Sequence, residues 1–268
     1  MKRKTWFWAL TPVAVALSLY GCGNGSDSDL AVDNNAQSCS VVSGTGSAVV
    51  VGSGLPGDPA APEAASGYRL GYKAKQSSNY MVVANTPLAT KAGCDVLKAG
   101  GTAVDAAVAV QAVLGLVEPQ SSTIAGSAFM MYYDAANKKV VAYDGRETAP
   151  AAATGYYLAR QDQSNASSPA PVPSARRSGR SIGVPGVMRM LDMAHKEHGK
   201  LAWAPLFDEG IRLASSGYKI PGRMGDAIRT NAANLQLDAN AVAAYFNADG
   251  TPKTTGTVTT NLPYAQSL

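Results

Sequence analysis

A chain of 268 residues, 46% hydrophobic and 16% charged, has enough apolar side chain to bury a sizeable core, in one large domain or two small ones. Its formal net charge is +4, but Lys2, Arg3 and Lys4 carry most of it; without them 20 basic side chains face 19 acidic ones. No basic stripe with interleaved aromatics runs through the chain, which sets aside a nucleic-acid partner.

Residues 1–21 read as an export signal. Lys2-Arg3-Lys4 is a positive start, and residues 6–19 form an apolar run broken only by Thr11, Pro12 and Ser18. The run is too short and wrongly flanked for a lasting membrane span. Leu19-Tyr20-Gly21-Cys22 resembles a lipobox, which predicts a diacylglycerol thioether on Cys22 and an acylated new N-terminus. More than one acyl chain makes such an anchor stable. Gly23 after the cysteine resembles lipoproteins bound for the outer membrane. Simple cleavage and release into the periplasm is the alternative. Residues 22–66, rich in Gly, Ser, Asp, Ala and Pro, predict a flexible tether, with residues 48–51 able to form a short strand. Cys39 lies in this tether and Cys94 in a helix-forming stretch. Pairing is possible in an oxidising compartment, but the different settings argue against it. No metal-ligand spacing occurs, and no cofactor is expected.

The ordered domain is expected over residues 67–268. Residues 80–84 read as a buried strand. Asn85 or Thr86 caps the next helix, with Pro87 in its first turn and Leu88, Ala92 and Val96 at helical spacing. Gly100-Gly101 closes it. Thr102 then caps a helix over residues 103–117 that is apolar nearly all round and so predicted to be fully buried. Asp105 and Gln111, its only interior polar side chains, should sit at its ends or bond to neighbouring backbone. Residues 128–133 and 140–143 predict two strands joined by a polar turn, leading into Asp144-Gly145-Arg146-Glu147. A Pro/Ser-rich loop covers residues 167–174. Helices follow over residues 187–198, with Val187, Met190, Leu191 and Ala194 inward, and over about 205–215. Residues 261–268 look like the entry to a helix with no stop signal, which predicts a partial sequence or a prematurely stopped reading frame. Helices layered on hairpin-linked strands suggest an α+β sandwich rather than a parallel βαβ fold.

Several strings carry a resemblance. Residues 84–90, from Ala84-Asn85-Thr86-Pro87, lead to Gly93-Cys94-Asp95-Val96-Leu97-Lys98-Ala99-Gly100-Gly101-Thr102-Ala103-Val104-Asp105. Val117-Glu118-Pro119-Gln120-Ser121-Ser122 precedes Phe129-Met130. Arg146-Glu147-Thr148-Ala149-Pro150 and Ser181-Ile182-Gly183-Val184-Pro185-Gly186 follow. In this order and spacing they resemble the γ-glutamyltransferases, in the first part of the precursor. The resemblance implies an N-terminal-nucleophile hydrolase with an αββα sandwich, here incomplete. Family precursors cut themselves, and the threonine so exposed takes the γ-glutamyl group of glutathione and passes it to water or an acceptor amine. A hydroxyl served by its own α-amine is a known way to activate a weak nucleophile. Arg146 matches the arginine that binds the glutamyl α-carboxylate. Its planar fork donates two parallel bonds to a carboxylate, a geometry that lysine lacks. Read without the motif, Arg146 is a surface ion-pair partner of a residue such as Glu147.

The family's nucleophile, in a Thr-Thr-His-like context, is expected beyond Leu268, in a small-subunit segment. Thr254-Thr255-Gly256 and Thr259-Thr260-Asn261 lack the histidine and come too early. Thr123-Ile124-Ala125-Gly126-Ser127-Ala128 stands where the family has several glycines; positive φ there would strain the side chains. His195 and His198 share a helix and could share a metal, though solvent-exposed decoration is the plainer reading. Arg176, Arg177 and Arg180 form a small basic loop, and Tyr132 and Tyr133 read as strand packing. Besides the enzyme portion, two other readings fit: a non-catalytic truncated lipoprotein relic, and a β-lactam side-chain acylase of the same fold family.

Overall fold

The computed structural model describes Cys39 and residues 77–268. The export signal, Cys22, the rest of the tether 22–66 with its candidate strand at 48–51, and the expected start of the domain lie outside the described residues.

Helix α1 (Pro87–Lys98) begins where the Thr86 hydroxyl accepts the Ala89 N–H at 3.2 Å. It ends at Gly100, whose φ of +88° favours glycine. Helix α2 (Ala103–Val117) opens on a capping box: Thr102 accepts the Asp105 N–H, and Asp105 accepts the Thr102 N–H at 2.7 Å. The two helices approach closely at Gly93, where a Cβ would sit 2.6 Å from a Val110 methyl carbon. The expected strand over residues 80–84 does not form. That stretch pairs with no strand among the described residues, and Val83 is 85% exposed. A ladder needs a second strand, and the apolar run alone does not supply one.

Strands β1 (Ala128–Asp134) and β2 (Lys139–Gly145) form an antiparallel hairpin from Ala128↔Gly145 to Asp134↔Lys139. The Asp134 carboxylate fixes its turn by accepting the N–H groups of Ala136 and Asn137. One face of the hairpin, with Met130, Tyr132, Val141 and Tyr143, packs on helix α3 (Val187–His198). On α3 the inward set is Val187, Met190, Leu191 and Ala194, as the spacing predicts. The other face leaves Phe129, Met131, Tyr133 and Val140 exposed.

A 3-10 turn (Ala204–Phe207) leads into helix α4 (Asp208–Ser216), where one longer helix was expected. Then come β3 (Tyr218–Lys219), α5 (Gly222–Leu235), α6 (Ala239–Tyr245), β4 (Val258–Thr259) and α7 (Leu262–Ser267). Strands β3 and β4 pair antiparallel, and Asn261 caps α7 by accepting the Tyr264 N–H. Helix α2 is buried on both sides. Val113 and Leu116 join α4, α5 and Ile220, while Val104 and Val108 join the hairpin, α3 and Phe207. Its polar residues follow expectation: Asp105 is in the cap, and the Gln111 amide donates to Ser122 Oγ and the Thr123 carbonyl. The described residues thus mix helix and strand in two separate two-stranded sheets, with helices on one face of the larger.

Cys39 and Cys94 are joined, which corrects the expectation of unpaired cysteines; their Cα atoms lie 5.5 Å apart. Cys94 is half-buried on α1, and Cys39 is buried against it.

Candidate functional site

Arg146 follows the last residue of β2, and the backbone around it is held on two sides. Gly126 O accepts the N–H groups of Gly186 and Val187 at 3.0 and 3.1 Å, which ties the start of α3 to the turn before β1. Thr148 and Val184 exchange backbone hydrogen bonds of 3.3 and 2.8 Å. Gly183 lies flat on Glu147, where a Cβ would sit 2.6 Å from Glu147 Cγ. At Gly186 a Cβ would strike the Gly145 carbonyl. These glycines let the segment after β2 lie directly on the entry to α3.

From this base the Arg146 side chain reaches outward, 62% exposed. The Arg146 backbone N–H donates to Asp144 Oδ1 at 2.9 Å. Its Nη2 lies 3.3 Å from Glu147 Oε1, and its Nη1 donates to Ser127 Oγ at 3.4 Å. A guanidinium has five N–H donors, so these two inward contacts leave others facing solvent. The exposed Arg146–Glu147 pair itself contributes little stability, about 0–1 kcal/mol. Glu147 is held below the usual carboxylate range, first by the adjacent Ser127 hydroxyl and its own backbone N–H; partial burial opposes this, and Arg146 adds to it. Its Oε2 is shielded from solvent with no well-aligned hydrogen bond, so the hydroxyl acts on the carboxylate as a close dipole. The arrangement can hold a small anion against Arg146.

The turn before β1 is not strained. Lys138 is the one non-glycine with positive φ among the described residues, so Thr123, Ile124, Ala125, Ser127 and Ala128 adopt ordinary backbone. Ser127 drew notice in the sequence only as a departure from glycine. Its contact with Arg146 comes from folding 19 residues apart in sequence, which no local pattern signals.

The histidines are not solvent decoration, contrary to expectation. His195 is mostly buried, its Nε2 2.9 Å from Leu201 O and 3.3 Å from Asp105 Oδ1. His198 stacks on Tyr132 with ring centroids 4.1 Å apart. Both close the seam between α3, α2 and the hairpin, which a helix-only view of their spacing misses. Among the described residues no three His, Cys, Asp or Glu side chains gather as a metal site. In the basic loop Arg180 is occupied, donating to the carbonyls of Tyr157, Arg160 and Gln161 at 2.9–3.0 Å. The paired threonines stand in turns and at β4; Thr259 Oγ1 accepts the Lys253 ammonium at 2.8 Å.

The sequence profile of the family described as Gamma-glutamyltranspeptidase matches residues 89–268, which include the whole of this site. The chain belongs to that family. It is 37% identical to Glutathione hydrolase 3 of Arabidopsis thaliana over 194 residues, which is 72% of this chain and 29% of that protein. Its fold matches the crystal structure of Helicobacter pylori gamma-glutamyltranspeptidase with a TM-score of 0.66 at 26% identity, over 73% of this chain and 54% of that one. The cephalosporin acylase from Bacillus halodurans, at 24% identity and a TM-score of 0.54, shares the fold. The chain therefore spans less than a third of the curated relative and about half of the solved transferase chain.

Proposed function

We propose that residues 67–268 are the large-subunit portion of a γ-glutamyltransferase, or glutathione hydrolase, precursor, and that Arg146 grips the α-carboxylate of the γ-glutamyl donor. The observation that carries this is Arg146 itself: a guanidinium projecting into solvent from a doubly pinned backbone, within the matched family region. Two parallel charge-assisted bonds to a carboxylate would fix the glutamyl group and leave its γ-carbonyl to be presented elsewhere. Acyl transfer also needs a nucleophile, a base and oxyanion donors at one carbon. In this reading a further segment of the precursor supplies them, with an N-terminal threonine as nucleophile.

The exposed face of Phe129, Met131, Tyr133 and Val140 supports the same reading, because it suits the inner face of a second sheet layer in an αββα sandwich. We also propose that residues 1–21 export the protein, that Cys22 carries lipid, and that residues 22–66 tether the domain to the periplasmic side of the outer membrane. The Cys39–Cys94 bond favours an oxidising compartment. Mass spectrometry of the mature N-terminus tests the anchor; an unmodified start beyond Cys22 would replace it with simple secretion.

The test of the site is Arg146→Lys in the complete precursor. Loss of the bidentate contact should cost roughly 1.5–3 kcal/mol, a rise of tenfold or more in KM for glutathione, with the fold intact. Unchanged kinetics in a folded variant would remove Arg146 from the site. A complete gene product with no turnover and no self-cleavage would favour a non-catalytic relic.

A further inference from the structure

We propose that Ser127 is a positioning residue for the α-carboxylate site, its hydroxyl and the Glu147 carboxylate each holding one terminal nitrogen of Arg146 so that the guanidinium fork faces outward. This rests on the reading of Arg146 given above.

The geometry gives each terminal nitrogen of the guanidinium its own inward anchor: Nη1 has Ser127 Oγ at 3.4 Å and Nη2 has Glu147 Oε1 at 3.3 Å. Each nitrogen then keeps a second N–H, enough for the two oxygens of a carboxylate. A hydroxyl is suited to this place, because its oxygen accepts from the guanidinium and carries no charge that would compete with an arriving carboxylate. The Glu147 carboxylate, held below the usual range first by the nearby Ser127 hydroxyl, stays charged as the second anchor.

Ser127 is also the fixed member of the trio. Gly126 before it accepts two N–H groups from the start of α3, and Ala128 after it pairs with Gly145. Arg146 is long and mostly exposed, and left alone it would sample many rotamers. Anchoring it before substrate arrives lowers the ordering cost of binding. Backbone geometry does not require serine here, since residue 127 has no positive φ. The hydroxyl is therefore free to serve the site without a role in shaping the turn.

The test uses the complete, self-cleaved protein and two chromogenic donors: γ-glutamyl-p-nitroanilide and its counterpart with an α-carboxamide. Ser127→Ala should raise KM for the carboxylate donor about three- to tenfold, leave kcat within about twofold, and leave the carboxamide donor unaffected. Ser127→Thr, which keeps the hydroxyl, should restore most of the loss. Ser127→Gly carries the same comparison if the alanine variant fails to accumulate. Equal losses on both donors would mean a packing role and overturn the proposal. An unchanged Ser127→Ala beside an impaired Arg146→Lys would overturn it while leaving Arg146 in place. An unimpaired Arg146→Lys would bring down the reading beneath it.

Discussion

Asp105→Asn is the sharpest test of how the fold is held together. The Asp105 carboxylate is fully buried and accepts the N–H groups of Thr102, Lys200 and Leu201 at 2.7–3.3 Å. The Thr102 hydroxyl and the His195 ring also face it. It therefore caps α2 and ties that helix to the loop after α3. Asparagine keeps the volume, but removes the charge and turns one acceptor oxygen into a donor aimed at backbone N–H groups. Charge-assisted bonds are roughly twice as strong as neutral ones, and stranding buried partners of a network costs about 3–5 kcal/mol. Solvent near the exposed Lys200 would recover part of that, so we expect a loss of about 3 kcal/mol, or roughly 6–12 °C in Tm for a domain of this size. Thermal melts followed by far-UV circular dichroism, on wild type and variant in parallel, measure it. A loss below about 1 kcal/mol would refute the account, because a replaceable buried acceptor cannot be the tie between α2 and α3.

Three further outcomes follow from the structure. Burial and its bond to Glu197 push the Tyr143 hydroxyl up to about 12 from 10.0, so its stabilising contribution is whole below pH 10 and disappears as pH rises towards 12. The stability difference between wild type and Tyr143→Phe should shrink over that window in urea titrations at stepped pH; a constant difference would deny the link. Cys39→Ser opens a loop of 55 residues and should cost about 4 kcal/mol on chain-entropy grounds, and peptide mapping without reductant should recover the Cys39–Cys94 pair. Residues 67–268 expressed alone should release no chromogenic amine from a γ-glutamyl anilide and should be poorly soluble, given the exposed hairpin face; turnover from a soluble, monodisperse sample would mean a misplaced catalytic centre.

Much of the fold was legible because its signals are local. Thr86, Thr102 and Asp105 mark helix starts within four residues of the groups they satisfy, Pro87 fits a first turn where no N–H is needed, and Gly100 marks an end. The hairpin was legible from its alternation and from the polar turn at Asp134. What failed was non-local. Residues 80–84 have strand composition but no strand beside them, and Cys94 shows in one dimension nothing of Cys39. His195 and His198 appeared free because their partners, Leu201, Asp105 and Tyr132, come from other elements. Arg146 was singled out through a motif, whereas the contact of Ser127 with it needed the fold to bring the two together.

Helix α2 gives the two halves of the protein a common fate. Its Val113 and Leu116 belong to the core with α5, and its Val104 and Val108 to the core beneath the hairpin that carries Arg146. Neither half can lose its packing without baring one side of a helix that has almost no polar surface to offer water. The hairpin side is thus insured by residues that never approach it: Ile228 or Met224, on the opposite flank, helps keep in place the hairpin that leads to Arg146. Sequence change on that remote flank would register first as a smaller fraction of intact molecules, with the geometry around Arg146 in each intact molecule unaltered.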